Sequence, residues 1–156
     1  MTVRSPMTFL RETHRVLVPG GRLLLVEPWV TPFSYLIYRY FHQEDCDLTA
    51  RPWELSVGQA PSEKKAFDGN QAIPYLLFGP RHRSQTLGSL PGLTPLAIEP
   101  FCLFAYLLSM GFKPRSFLPE FLYPAVSKIE KATLPFWRPV AAMRVFLVLE
   151  KFPKAL

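Results

Sequence analysis

The chain has 156 residues, of which 49% are hydrophobic and 19% charged, with a formal net charge of +6. That length and composition suit one modest domain with a real core and exclude a disordered chain. The 18 basic residues are scattered, with no run of five and no zinc-ligand pattern, so no nucleic-acid partner is expected. A solvated basic face accounts for the charge; an acidic partner or a membrane surface is the alternative.

Two cysteines, Cys46 and Cys102, do not make a disulfide framework in a domain of this size. The amino terminus has no apolar signal core. The longest apolar stretch, Phe101 to Phe112, falls short of the ~20 residues of a membrane span. A cytoplasmic protein without a span is the expectation.

In chain order, Ser5-Pro6 is a helix start: a hydroxyl to cap free amides, then a ring already set at helical φ. Phe9, Leu10, Thr13, Val16 and Leu17 then recur at helical spacing. Pro19-Gly20-Gly21 stops this helix. Leu23 to Val26 are continuously apolar, which predicts a parallel strand buried on both sides. A helix over 33–41, capped by Thr31 before Pro32, carries Phe33, Tyr35, Tyr38, Tyr40 and Phe41.

The polar, proline-broken stretch 42–61 reads as loop, with a short turn at 53–57. A helix over 62–78 is expected to bend or break at Gly69 and Pro74. Residues 79–91 read as another loop. A strand over 93–99 follows, with Pro95 confining its paired part. A buried helix at 101–110 ends at Gly111. Helical spacing returns over 118–132, with Pro124 as a kink or restart. The last strand covers 142–151.

The order of residues in Arg15-Val16-Leu17-Val18-Pro19-Gly20-Gly21-Arg22-Leu23-Leu24-Leu25-Val26-Glu27-Pro28 resembles the signature of class I S-adenosylmethionine-dependent methyltransferases. In that family it is the helix before the fifth strand, a turn, and the fifth strand. The resemblance implies an α/β fold: a partial Rossmann-like methyltransferase sheet whose sixth strand is 93–99. The seventh, 143–151, would run antiparallel between its neighbours. A single domain over 1–156 is expected, with a variable substrate-side insertion at about 42–92.

The resemblance further implies S-adenosylmethionine as cofactor and a small-molecule or lipid methyl acceptor. The family binds its cofactor with a glycine-rich loop after the first strand and an acidic residue ending the second. No Gly-x-Gly-x-Gly occurs here, and Gly20-Gly21 precedes a strand instead of following one. The chain is therefore expected to be the carboxyl-terminal half of such an enzyme, inactive alone, with its cofactor-binding residues unknown. The alternative is a non-catalytic interaction module that pairs with a separate amino-terminal half or with itself.

Five residues are site candidates. His42 and Glu44 have the chemistry of general acid–base work on an acceptor. The polar cluster of His42, Glu44, Asp45, Cys46 and Asp47 also fits a helix end and a solvated loop, and its spacing matches no closed metal site. Glu27 ends a strand where open sheets place ligands, or caps amides near Thr31. Tyr38, with its aromatic neighbours, lines an acceptor pocket or packs on the sheet. Asn70 reaches the cleft or holds a turn.

Arg81-His82-Arg83 holds an anionic group or lies in a surface loop. The apolar helices of the carboxyl-terminal third suit core packing. Peripheral contact with a membrane is the alternative.

Overall fold

The computed structural model describes residues 5–42, 44–54, 69–109 and 116–152. Lys64-Lys65, Gly111 and the early part of the expected 62–78 helix lie outside the described residues.

The first helix, α1 (Pro6–Val16), begins as its sequence dictates. Ser5 has extended backbone, and its hydroxyl accepts from the Thr8 amide at 3.4 Å. At its other end, Lys151 Nζ donates to the carbonyls of His14 and Leu17, each at 2.7 Å. A cation thus satisfies acceptors that the helix leaves unpaired.

The following turn needs its glycines. Gly20 has φ of 78°, and its amide donates to the Lys151 carbonyl. A Cβ at Gly21 would lie 2.8 Å from the Val18 carbonyl oxygen. The turn leads into β1 (Arg22–Pro28).

The helix α2 (Pro32–Phe41) is closed at its start by a reciprocal cap. Thr31 Oγ1 accepts from the Ser34 amide and Ser34 Oγ from the Thr31 amide. Both residues are buried, and Ser34 Oγ also donates to the Trp29 carbonyl at 2.7 Å. The cap therefore fixes how the chain leaves β1.

Two short helices come next: α3 (Ile73–Phe78) and α4 (Arg83–Gly88). Pro74 stands in the first turn of α3, so it starts that helix rather than bending a longer one. The expected loop at 79–91 contains α4, whose polar sequence RSQTLG has no apolar periodicity to announce it.

The second strand, β2 (Leu93–Phe101), runs past its expected end and admits Pro95 by a bulge between Pro95 and Ala97. Then come α5 (Phe104–Leu108), a 3₁₀ turn (Glu120–Leu122), α6 (Tyr123–Ala141) and β3 (Arg144–Lys151). Pro124 lies in the first turn of α6 and makes no kink. The helix continues nine residues past the expected end at 132, with Pro135 and Pro139 inside it.

The strands form one mixed α/β assembly around a three-stranded sheet of order β1-β3-β2. Both pairings are antiparallel, with Leu25 opposite Leu147 and Ile98 opposite Leu147. The last strand therefore lies between the other two and runs against both. Val145, Leu147 and Leu149 are fully buried, and they pack with Met7, Leu10 and Leu77.

The reading of β1 as a parallel strand buried on both sides is corrected. Its partner in the sheet is β3, antiparallel, and Leu24 and Val26 are 59% and 57% exposed. Leu23 and Leu25 pack on the core, whereas the opposite side of the strand is open. An unbroken apolar run reports that both faces are apolar; it does not report that both are covered.

Candidate functional site

A second cluster of buried residues lies where β1 and β2 end and β3 begins, and it includes Tyr38, Cys46, Tyr106 and Met143. Four elements bring polar groups there. The helix α2 supplies Tyr38 and ends at His42. The loop after it supplies Glu44, α5 supplies Tyr106, and β3 opens with Arg144.

Tyr38 is buried, and its hydroxyl donates to the Met143 carbonyl, which also accepts from the Trp29 amide at 2.9 Å. Burial, followed by the neighbouring Tyr106, raises its pKa. The phenol therefore stays protonated and acts as a structural donor. The His42 ring stands edge-on to Tyr38 with centroids 5.9 Å apart.

His42 Nδ1 accepts from the Glu44 amide at 3.2 Å. The neutral ring then carries its proton on Nε2 and presents a donor there. Burial holds the His42 pKa below its usual value, with Arg144 adding to the shift and Glu44 opposing it. Glu44 Oε2 accepts from Gln71 Nε2. A Cβ at Gly69 would meet Glu44 at 3.0 Å, so the carboxylate is seated against the backbone there.

Arg144 lies over the face of Tyr106, with its guanidinium carbon 4.8 Å from the ring centroid. Burial raises the Tyr106 pKa, and Arg144 opposes the rise. Charge from Arg144 thus reaches His42, Tyr38 and Tyr106 together. Both thiols nearby stay protonated at neutral pH. Burial, with Asp47 second, pushes Cys46 up to about 11, and burial, with Glu130 second, pushes Cys102 up to about 11.

His42, Glu44 and Tyr38 are therefore brought together. Asn70 neighbours them but is a loop staple. Its Oδ1 accepts from the amides of Asp47 (3.0 Å) and Ala72 (2.9 Å), while its Nδ2 donates to the Asp47 carbonyl at 2.9 Å. Asp47 takes the Thr49 amide and hydroxyl, so it also serves the loop. Glu27 sits on β1 opposite Val145, half-buried on the side of Leu23 and Leu25. Arg81 and Arg83 are exposed, and the His82 ring packs on Trp53 at 5.1 Å.

Sequence reasoning missed Arg144, Tyr106 and Gln71. Arg144 stands alone at the head of an apolar run, and Tyr106 lies within one. A polar residue where a buried element begins or packs was the available signal.

Glu130, a buried carboxylate, lies on α6. Its Oε2 accepts from the amides of Leu103 (3.2 Å) and Ala105 (2.8 Å), capping α5, whose own N-cap residue makes no side-chain bond. Among the described residues, no group of three His, Cys, Asp or Glu is arranged to hold a metal.

Two clefts lie beside α6. One of about 440 Å³ is lined by Trp29, Pro100, Pro135, Arg138 and Pro139, and one of about 270 Å³ shares Pro100 and Arg138 and adds Phe146. Neither is lined by His42 or Glu44.

Among the described residues, no strand is followed at once by glycine. The family's cofactor loop needs glycine after a strand. Here β1 leads to Trp29, β2 to Cys102 and β3 to Phe152. Gly20-Gly21 and Gly92 all precede strands. Compared with protein-family models, curated proteins and solved structures, the chain gives no match.

Proposed function

We propose that the chain is the acceptor side of a class I S-adenosylmethionine-dependent methyltransferase and serves a small-molecule or lipid acceptor. One observation carries this reading. The strand led in by Pro19-Gly20-Gly21 is neighboured by the last strand, which runs antiparallel between it and β2. That order supports an equivalence of β1, β2 and β3 with the family's fifth, sixth and seventh strands.

In this reading the His42, Glu44, Tyr38 and Arg144 cluster positions the acceptor. His42 brings an imidazole, Glu44 a carboxylate and Arg144 positive charge. The residues that hold the cofactor belong to a preceding half. The decisive test is the coding sequence upstream of Met1. A strand followed by Gly-x-Gly-x-Gly is expected in frame, and a region encoding no such segment overturns the reading. Calorimetric titration of the purified chain with S-adenosylmethionine is expected to show no saturation. Tight one-to-one binding would overturn the division between halves.

A second reading, a non-catalytic interaction module, is favoured by β1 itself. Its pairing along one side is to β3, and Leu24 and Val26 face outward. Unpaired sheet edges recruit partners. Sedimentation is expected to show a dimer that Leu24→Lys with Val26→Lys dissociates. A wild-type chain that stays monomeric at high concentration counts against self-pairing.

A further inference from the structure

The apolar side chains left in water are unevenly placed. Phe117, Phe121 and Phe136 are 77%, 79% and 83% exposed, above every other large apolar residue described. All three lie on the segment that runs through the 3₁₀ turn into α6. Along α6, Ile129, Phe136 and Val140 are exposed and follow one another at intervals of seven and four, so they share one side. Glu130 and Trp137, each the next residue after Ile129 and Phe136, lie about 100° around the helix and turn inward.

The neighbouring helix repeats the arrangement. Packed against α6, α2 exposes Phe33, Leu36 and Tyr40 at intervals of three and four, and buries Ser34 and Tyr38. Scattered exposed leucines are ordinary, but rows of exposed aromatics mark an interaction surface.

Charge selects the occupant. Arg39, Lys128 and Lys131 are exposed on these two helices, and Arg138 is half-buried. The one carboxylate on either helix, Glu130, is buried and bonded to backbone. Glu120, in the 3₁₀ turn, is the one exposed carboxylate described between 116 and 141. The surface of the two helices therefore offers apolar rings and positive charge, on a chain of net charge +6.

A second copy seated here would bring like charges together, which association disfavours. A bilayer rich in anionic lipid accepts both features: rings enter the acyl boundary, and ammonium groups stay at the phosphates. We propose that α6, with the 3₁₀ turn and Phe117 before it, docks on an anionic membrane surface, where the helix lies in the plane of the interface. No described helix is long and apolar enough to cross a membrane. The proposal is independent of the methyltransferase reading.

Flotation of the full chain with vesicles tests it, using phosphatidylcholine alone or with phosphatidylglycerol. The chain is expected to float with the anionic vesicles, to stay behind with the neutral ones, and to be released by added salt. Phe121→Ser with Phe136→Ser should cut anionic binding about tenfold, from the lost apolar insertion. Lys128→Glu with Lys131→Glu should cut it about tenfold through charge alone. Circular dichroism and thermal melting check that each variant keeps its fold.

No flotation with either vesicle overturns the proposal. So does equal flotation by the phenylalanine variant, or equal binding to neutral and anionic vesicles. A dimer that the phenylalanine substitutions dissociate, with no flotation, would assign the face to a second copy instead.

Discussion

Leu147 and Phe136 are both large apolar residues in regular elements eight residues or more long, yet one is fully buried and the other 83% exposed. Leu147 stands on the strand that every other strand pairs with, under α1 and α3. Phe136 stands on a helix that already spends its inward side on Glu130, Thr133 and Trp137. Position in the sheet, and not apolar composition, decides which run becomes core. The same contrast separates what holds the fold from what the fold leaves in water.

The sharpest way to break this contrast is to shorten both side chains. Leu147→Ala should cost about 2–5 kcal/mol, because a fully packed centre cannot collapse around the lost methyls. Phe136→Ser should change stability by less than about 0.5 kcal/mol. Urea denaturation of both variants measures the difference, and equal losses would remove the distinction.

Glu130 ranks next, because it is the polar counterpart of the core on α6. Glu130→Ala leaves the Leu103 and Ala105 amides without their acceptor and should cost about 1–3 kcal/mol. Glu130→Gln keeps an oxygen in place and should cost less. A glutamine variant as damaging as alanine would show that the negative charge, and not the acceptor, caps α5.

The elements with local punctuation were legible. Ser5-Pro6 and Thr31-Pro32 announce α1 and α2 because the capping chemistry lies within three residues. Pro19-Gly20-Gly21 announces a turn because Gly20 needs positive φ. What depended on distant partners was not legible. The open side of β1 depends on which strand pairs with it. The extent of α6 was missed because Pro135 and Pro139 are ordinarily helix breakers.

The site divides in the same way. His42 and Glu44 were read as one polar cluster and Tyr38 as one of an aromatic group; the end of α2 brings all three close. Arg144 lies about a hundred residues along the chain from His42 and Tyr106 about sixty, and no local pattern joins either to α2. Asn70 was legible as a turn residue, and its three bonds hold the loop.

Within the site, Tyr38→Phe is a smaller test. The Met143 carbonyl keeps its bond from the Trp29 amide when the hydroxyl is lost, so no acceptor is left bare. A cost of about 0.5–1.5 kcal/mol is expected. A larger loss would mean that the hydroxyl also holds other groups of the cluster.

The finest test is the pH dependence set by His42. Its pKa in the folded chain lies below the usual 6.5, chiefly through burial. Below that pH the unfolded chain takes up a proton that the folded ring resists, so the contribution of His42 to stability is complete above 6.5 and is lost as pH falls. His42→Gln removes this loss without removing a polar group. The wild type should therefore lose more stability than the variant between about pH 7 and about pH 5. Parallel stability curves would show that the ring is solvated in the folded state, and the proposed acceptor site would lose its half-buried imidazole.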